Sequence, residues 1–432
     1  MTIAAALLAA ALAAAPAPDT PVATLAGGPV IAPSAGQVAP SAGHQLPLFD
    51  LGLGVHLDGG PPGPGLPPLR LDGSTAPSMP TTPAPTPEAP AHPAAEAAAA
   101  ATHHDSWFAL PVLFWLPETK LGYGATGGLH FQLRDAERPS SVFGAAVYTL
   151  QRQGSLDVAG DLYLPGGALV SGRLRAIDFP DEFYGLGPDT RTSQREKFTR
   201  REVEAVVTGE LPVPGVPGLR AGPRLDLRAE DIRGVQAGGA LASGDVVGAR
   251  GFSAVSAGAS VTWDTRDNAF WTRRGSLAQA WYVYAPKGLG HHDPFGRGVL
   301  ELRHFLPLGG GRVLGLQGYF EGAHGATPFT LLPKLGSTRF LRGIREGRYR
   351  DQLDWATQAE LRVPLRGRVS AATFLSIGDV AHSFRDLTLA NPKVAGGAGL
   401  RFRLTDAGAN IRVDGAFSGA GPELYVLVLE AF

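Results

Sequence analysis

At 432 residues the chain is long enough for two or three ordinary domains or for one large β-barrel. Its formal net charge of -1 carries no basic excess of the kind that nucleic-acid partners need, and with no cysteine it forms neither disulfides nor thiolate metal sites. The 58 glycines and 37 prolines are unevenly spread: proline crowds the early part of the chain, while later glycines sit within and between apolar–polar alternations.

Residues 3–15 form an unbroken apolar run of Ala, Leu and Ile, too short to span a bilayer as a helix and followed by small residues. Residues 1–17 are therefore expected to be a signal peptide, although no Lys or Arg precedes the run. From 18 to 105 the chain is Pro, Ala, Gly and Thr with scattered His, as in 61–68 and 75–101. Such a composition buries too little apolar surface to offset the entropy of ordering, so a disordered linker is expected there. Within it, the apolar patch 46–57 (LPLFDLGLGVHL) reads either as a short adhesive motif or as chance.

After Ser106 the character changes. Sixteen strand-like runs follow, near 107–116, 120–133, 141–152, 155–164, 167–178, 197–210, 219–233, 249–264, 274–286, 295–307, 312–322, 354–365, 368–380, 394–404, 409–418 and 423–432. Most have the length that a tilted transmembrane strand needs. In one, Leu219, Ala221, Pro223, Leu225 and Leu227 alternate with Arg220, Arg224, Asp226 and Arg228; in another, Ile411, Val413 and Phe417 alternate with Arg412, Asp414 and Ser418. A secreted sandwich or propeller would also alternate. The density of both charge signs on the polar face, the length of the strands and the alternation of tight turns with long loops favour a transmembrane barrel over either. A closed barrel also satisfies every backbone donor and acceptor, which lipid requires. Residues 106–432 are thus expected to form an all-β, sixteen-stranded antiparallel transmembrane barrel, and no segment has the apolar length of a membrane-spanning helix.

Residues 336–351 interrupt this pattern with five arginines, three glycines and two aromatics. By composition the stretch reads as a solvated basic loop; placed before a strand with one apolar and one charged face, it reads equally as a long loop held inside a barrel.

Five pieces spread along the barrel region carry a family resemblance: 116–124 (LPETKLGYG), 179–187 (FPDEFYGLG), 264–270 (DTRDNAF) with Gly275, 340–344 (FLRGI), and 424–432 (LYVLVLEAF) ending on Phe432. Together and in this order they resemble the barrel domain of the BamA/TamA-type outer-membrane assembly and translocation proteins, also called the bacterial surface antigen family. The similarity is to short members without polypeptide-transport-associated domains. The resemblance implies sixteen strands with an inward-folding loop between the eleventh and twelfth. It implies a periplasmic turn carrying Asp264, Arg266, Asp267 and Asn268, and a terminal strand whose Phe432 is read during membrane insertion. The loop tip is expected at Arg342 and Gly343, with the arginine held by an acidic residue in the lumen, since a confined guanidinium needs a fixed anion. The family's acidic position on the thirteenth strand is occupied here by Ser376, which leaves Glu360 and Asp414 as candidate partners. By alternation Asp379 points to the other face.

The resemblance further implies residence in the bacterial outer membrane, contact with its lipids, and polypeptide clients: unfolded outer-membrane proteins or secreted chains that use a weak seam between the first and last strands. Pro111 in the first strand removes one ladder donor there. A passive channel or structural barrel is the alternative. No enzymatic chemistry, cofactor or metal is expected. His291, His292 and Asp293 lack a third spaced ligand, His130 and His304 stand isolated on strands, and no Gly-x-Ser-x-Gly or phosphate-binding loop is present.

Overall fold

The computed structural model describes residues 54–56, 106–116, 120–136, 139–268, 271–403, 410–428 and 430–431. The expected signal peptide 1–17, the linker 18–105 apart from Gly54–His56, and Phe432 lie outside the described residues.

The strands are β1 (Gly54–His56), β2 (Ser106–Leu116), β3 (Lys120–Phe131), β4 (Ser140–Thr149), β5 (Gly154–Tyr163), β6 (Leu169–Phe183) and β7 (Glu196–Pro212). Then come β8 (Leu219–Arg233), β9 (Phe252–Asp264), β10 (Gly275–Ala285), β11 (Phe295–Pro307), β12 (Val313–Gly325), β13 (Lys334–Leu335) and β14 (Tyr349–Arg350). The last are β15 (Leu353–Arg366), β16 (Val369–Ala381), β17 (Lys393–Arg403), β18 (Asn410–Ser418) and β19 (Gly421–Val428). Each long strand pairs antiparallel with the next from β2 to β12, and again from β15 to β19, with β12 joined directly to β15. The long loop expected after the eleventh long strand therefore leaves from β12 and returns at β15, carrying only the small β13–β14 pair.

Alternation decides which side faces what. On β18, Arg412 and Asp414 are buried while Val413 and Phe417 are exposed; on β16, Ser376 is buried and Leu375 exposed; on β17, Arg401 is buried between exposed Leu400 and Phe402. Charged residues inside and apolar residues outside invert the arrangement of a water-soluble sandwich, and they suit a wall with hydrocarbon on its outer side. The tight connections 164–168, 308–312 and 367–368 share one rim, and the long ones 184–195, 234–251, 326–352 and 382–392 share the other.

That second rim is roofed. Phe183, Phe198 and Ile232 at strand ends pack with Leu241, Ala249, Phe329 and Leu332 from two loops, and Phe329 meets Phe183 and Phe198 edge-on at 5.2 and 5.4 Å. The inward loop contributes Phe329 and Leu332 to this apolar roof.

The sheet departs from expectation at its ends. Near its start, the edge of β19 away from β18 pairs antiparallel with β1, setting Gly54 opposite Tyr425, Val55 opposite Leu424 and His56 opposite Glu423. The linker, expected to lack structure throughout, thus contributes a short strand. The physical reason is the row of unpaired N–H and C=O groups that any free strand edge presents.

Candidate functional site

Loop 326–352 folds into the lumen because barrel side chains satisfy its backbone. Arg412 donates to the Thr338 carbonyl at 2.7 Å, Gln358 to the Arg339 carbonyl at 2.7 Å, and Ser418 to the Gly343 carbonyl. A buried irregular segment is tolerable only when its polar groups find such partners.

At the tip the chain turns through left-handed backbone at Leu341 (φ 51°) and Gly343 (φ 102°). A Cβ at Gly343 would press within 3.1–3.2 Å of the Phe417 backbone, so glycine is needed for both conformation and approach. The turn aims Arg342 into the wall. Its fully buried guanidinium donates to Asp414 at 2.7 Å and to Glu360 at 2.6 Å, and lies 3.5 Å over the Phe374 ring. Both candidate acids engage it at once. Ser376 does not touch it: the Ser376 hydroxyl donates to Gln358 Oε1 at 3.1 Å, and Gln358 Oε1 is 3.5 Å from Arg342. Asp379 lies elsewhere, 3.7 Å from Lys393.

The two acids are shared. Glu360 also accepts from Arg362 at 2.8 Å, Asp414 from Arg412 at 3.0 Å and from Arg401, and Glu430 closes the chain of charges with Arg401 at 2.9 Å. Arg401, Glu430, Gln358 and Phe374 were absent from the sequence-derived set. The lumen parity of Arg412 was visible in the alternation; the convergence of β15, β16, β17 and β18 on one point was not.

The tip also reaches the sheet's end. Gly343 N donates to the Tyr425 hydroxyl on β19 at 2.9 Å, and that hydroxyl in turn donates to Glu423. Further back, Arg339 meets Glu301 at 2.8 Å, Arg345 meets Glu182 at 2.8 Å, and Arg348 donates to the Thr190 hydroxyl and carbonyl at 2.8 and 2.6 Å. Arg350 is buried beside Phe183 and Phe329 and donates to the Phe329 carbonyl at 3.1 Å. All five arginines of 336–351 are engaged, so the solvated-loop reading fails. Burial, reinforced by the hydrogen bond to the Glu182 carboxylate, pushes the Tyr184 phenol up to about 12, so it remains a neutral donor beside this loop.

The turn motif is structural at close range. Arg266 grips Asp264 through Nε at 3.1 Å and Nη2 at 2.8 Å with both side chains buried. Asp267 accepts from the amides of Arg273 and Arg274, and Asn268 from that of Trp271. Gly275 (φ 102°) follows because a Cβ there would run into the Thr265 carbonyl. Next to this turn, His304 proves not to be isolated: its Nδ1 shares a 2.7 Å hydrogen bond with the Ser276 hydroxyl, its cross-strand neighbour. His291 shares one with the Asp293 carbonyl at 2.6 Å. Beside the lock the lumen keeps a cavity of about 200 Å³ lined by Arg173, Glu204, Arg224, Asp226, Trp281 and Arg297, among others.

No family model matches the sequence, and no curated protein matches it by sequence. Among solved structures the chain is similar to BamA from Haemophilus ducreyi lacking POTRA domains 1–3, with a TM-score of 0.51 and 13% identity over 75% of this chain and 69% of that one. CdiB from Acinetobacter baumannii is also similar, with a TM-score of 0.47 and 8% identity over 76% of this chain and 59% of that one. The first likeness extends to the fold.

Proposed function

We propose that this chain is an outer-membrane barrel that inserts or translocates polypeptides through the gap between its first and last long strands, without enzymatic chemistry. The observation that carries this reading is the edge of β19 away from β18, which takes up an added antiparallel strand in β1. An edge that accepts one strand offers the same backbone donors and acceptors to a client strand, by β-augmentation. The fold shared with BamA and the five sequence pieces of that family favour the same reading. The alternative, a passive channel, is less favoured by the roof of Phe183, Phe198 and Phe329 and by a lumen filled with loop 326–352. The lock at Arg342 then serves to hold the wall beside the seam while the seam itself opens.

The test uses the full chain in liposomes, with an unfolded outer-membrane barrel as client and single-channel conductance recorded on the same preparation. Faster client insertion that stops when cysteines placed in β2 and β19 are bridged is the expected result. Steady conductance without acceleration would establish a channel instead.

A further inference from the structure

The rim of short turns is charged unevenly. The connections 164–168 (LPGGA) and 213–218 (VPGVPG) contain no ionisable side chain, and in the connection before them Arg134 stands 3.9 Å from Asp135. The next three on that rim, 265–274, 308–312 and 367–368, join β9 to β10, β11 to β12 and β15 to β16. These strands are consecutive around the wall. With the strand end at Arg366, the three turns present Arg273, Arg274, Arg312, Arg366 and Arg368, all exposed. Among the described residues, Arg273, Arg274, Arg312 and Arg366 form no ion pair. The nearby acids are already engaged: Asp264 holds Arg266, and Asp267 accepts the amides of Arg273 and Arg274.

These cations stand where an apolar outer wall ends. Trp263, Leu306, Leu308 and Leu365 are exposed at the same level, Leu308 in the turn that holds Arg312 and Leu365 beside Arg366. Just above them on the wall, Ser276 and His304 share their 2.7 Å hydrogen bond. Leu277, Arg303 and Phe305 are buried, so alternation turns Ser276 and His304 outward. Among the described residues, the second ring nitrogen of His304 has no hydrogen-bond partner.

We infer that this arc binds anionic phospholipid, its arginines holding headgroup phosphates of the leaflet on the short-turn side. The inference rests on the membrane placement in the reading above, not on client handling. Cations at the border between a lipid-facing wall and water lie at headgroup level, where anionic lipid attracts them. Guanidinium matches phosphate with paired, charge-assisted hydrogen bonds. Consecutive turns of one rim are two strands apart, about 10 Å, so arginines of neighbouring turns serve adjacent headgroups. A zwitterionic lipid brings a cation of its own against the same arginines, which like-charge repulsion disfavours. The outward Ser276–His304 pair adds hydrogen-bonding groups within reach of headgroup oxygens.

The test places the full chain in phosphatidylcholine vesicles containing a minor fraction of phosphatidylglycerol, with either lipid brominated in turn. Quenching of tryptophan fluorescence, with Trp263 exposed at the end of β9 beside the arc, gives the preference for one lipid over the other. The unaltered chain is expected to prefer phosphatidylglycerol. Arg312→Gln with Arg366→Gln is expected to lower that preference at least about threefold. Lys287→Gln with Arg385→Gln, which removes two exposed cations from the opposite rim, is expected to leave it unchanged. No preference in the unaltered chain, or equal loss in the two variants, would overturn the assignment. Displacement of the lipid by inorganic phosphate, but not by chloride at equal ionic strength, would make the arc a free-anion site instead. A chain that does not enter the bilayer overturns the arc and the membrane placement together. Lost lipid preference with client insertion intact overturns the arc alone, and preference without client insertion upholds it.

Discussion

The two flanks of the seam are built differently. On the C-terminal flank, the lumen faces of β15, β17 and β18 carry Glu360, Arg362, Arg401, Arg412 and Asp414, all buried and interlocked, and Arg342 bridges them to the inward loop. On the N-terminal flank, the lumen faces of β3 and β4 carry Gly122, Thr126, Gly128, His130, Phe143, Ala145 and Val147, mostly small or apolar, and neither strand contains an Asp, Glu or Arg. One flank is held by charge-assisted bonds that need several partners in place together; the other is held by its backbone ladder. A seam that must open without unfolding the barrel would yield on the second side. Under the proposed function, the C-terminal flank would be the fixed edge and the N-terminal flank the moving one.

The largest expected effect lies on the fixed flank. Arg342→Ala strips Glu360 and Asp414 of a shared partner while leaving both buried, which costs about 3–5 kcal/mol when one member of a buried pair is removed. The check is the denaturant midpoint of the barrel in lipid vesicles, with protease resistance of loop 326–352 as the local readout. Arg342→Lys is expected to recover less than half of the loss, because one ammonium cannot hold two carboxylates in the fork geometry of guanidinium.

A smaller effect is expected from Tyr425→Phe, which removes the acceptor of the Gly343 amide and a partner of Glu423. The loss should be about 1–2 kcal/mol, with faster hydrogen exchange at the loop tip. If the loop tip steadies the acceptor edge, exchange along β19 should rise as well; exchange confined to the tip would uncouple the lock from the seam.

The smallest effect is expected on the moving flank. Thr126→Val removes a 3.2 Å hydrogen bond to the Gly144 carbonyl and should cost no more than about 1 kcal/mol. In the same exchange experiment on unchanged protein, amides of β3 should exchange faster than those of β17. Equal protection of the two strands would break the comparison between the flanks.

Much of the barrel was readable from the chain because strand parity is local. Arg412 and Asp414 two apart, with Val413 between them, state which side is which whatever the neighbouring strand does. The same holds for the Asp264–Arg266 pair, whose partners are two residues apart and whose turn closes on Asp267, Asn268 and Gly275. The tip of the loop was legible as Arg342–Gly343 through the family pieces, and its acidic partners were narrowed to Glu360 and Asp414 by lumen parity. What parity cannot supply is the identity of residues brought together from strands 18 to 82 positions apart in the chain, such as Arg342 with Glu360 and Gly343 with Tyr425.

Local alternation, turn chemistry and composition therefore determined by themselves that residues 106–432 would form a lipid-facing, sixteen-stranded wall with one long basic loop. They act over a few residues and need no knowledge of the rest of the chain. Only the tertiary structure decided that both acids hold Arg342, that Ser376 serves Gln358 instead, and that Gly54–His56 takes the edge of β19. Each of those depends on the curvature and stagger that set which strands face one another across the lumen, and on which backbone groups of β19 stand beside Gly54–His56.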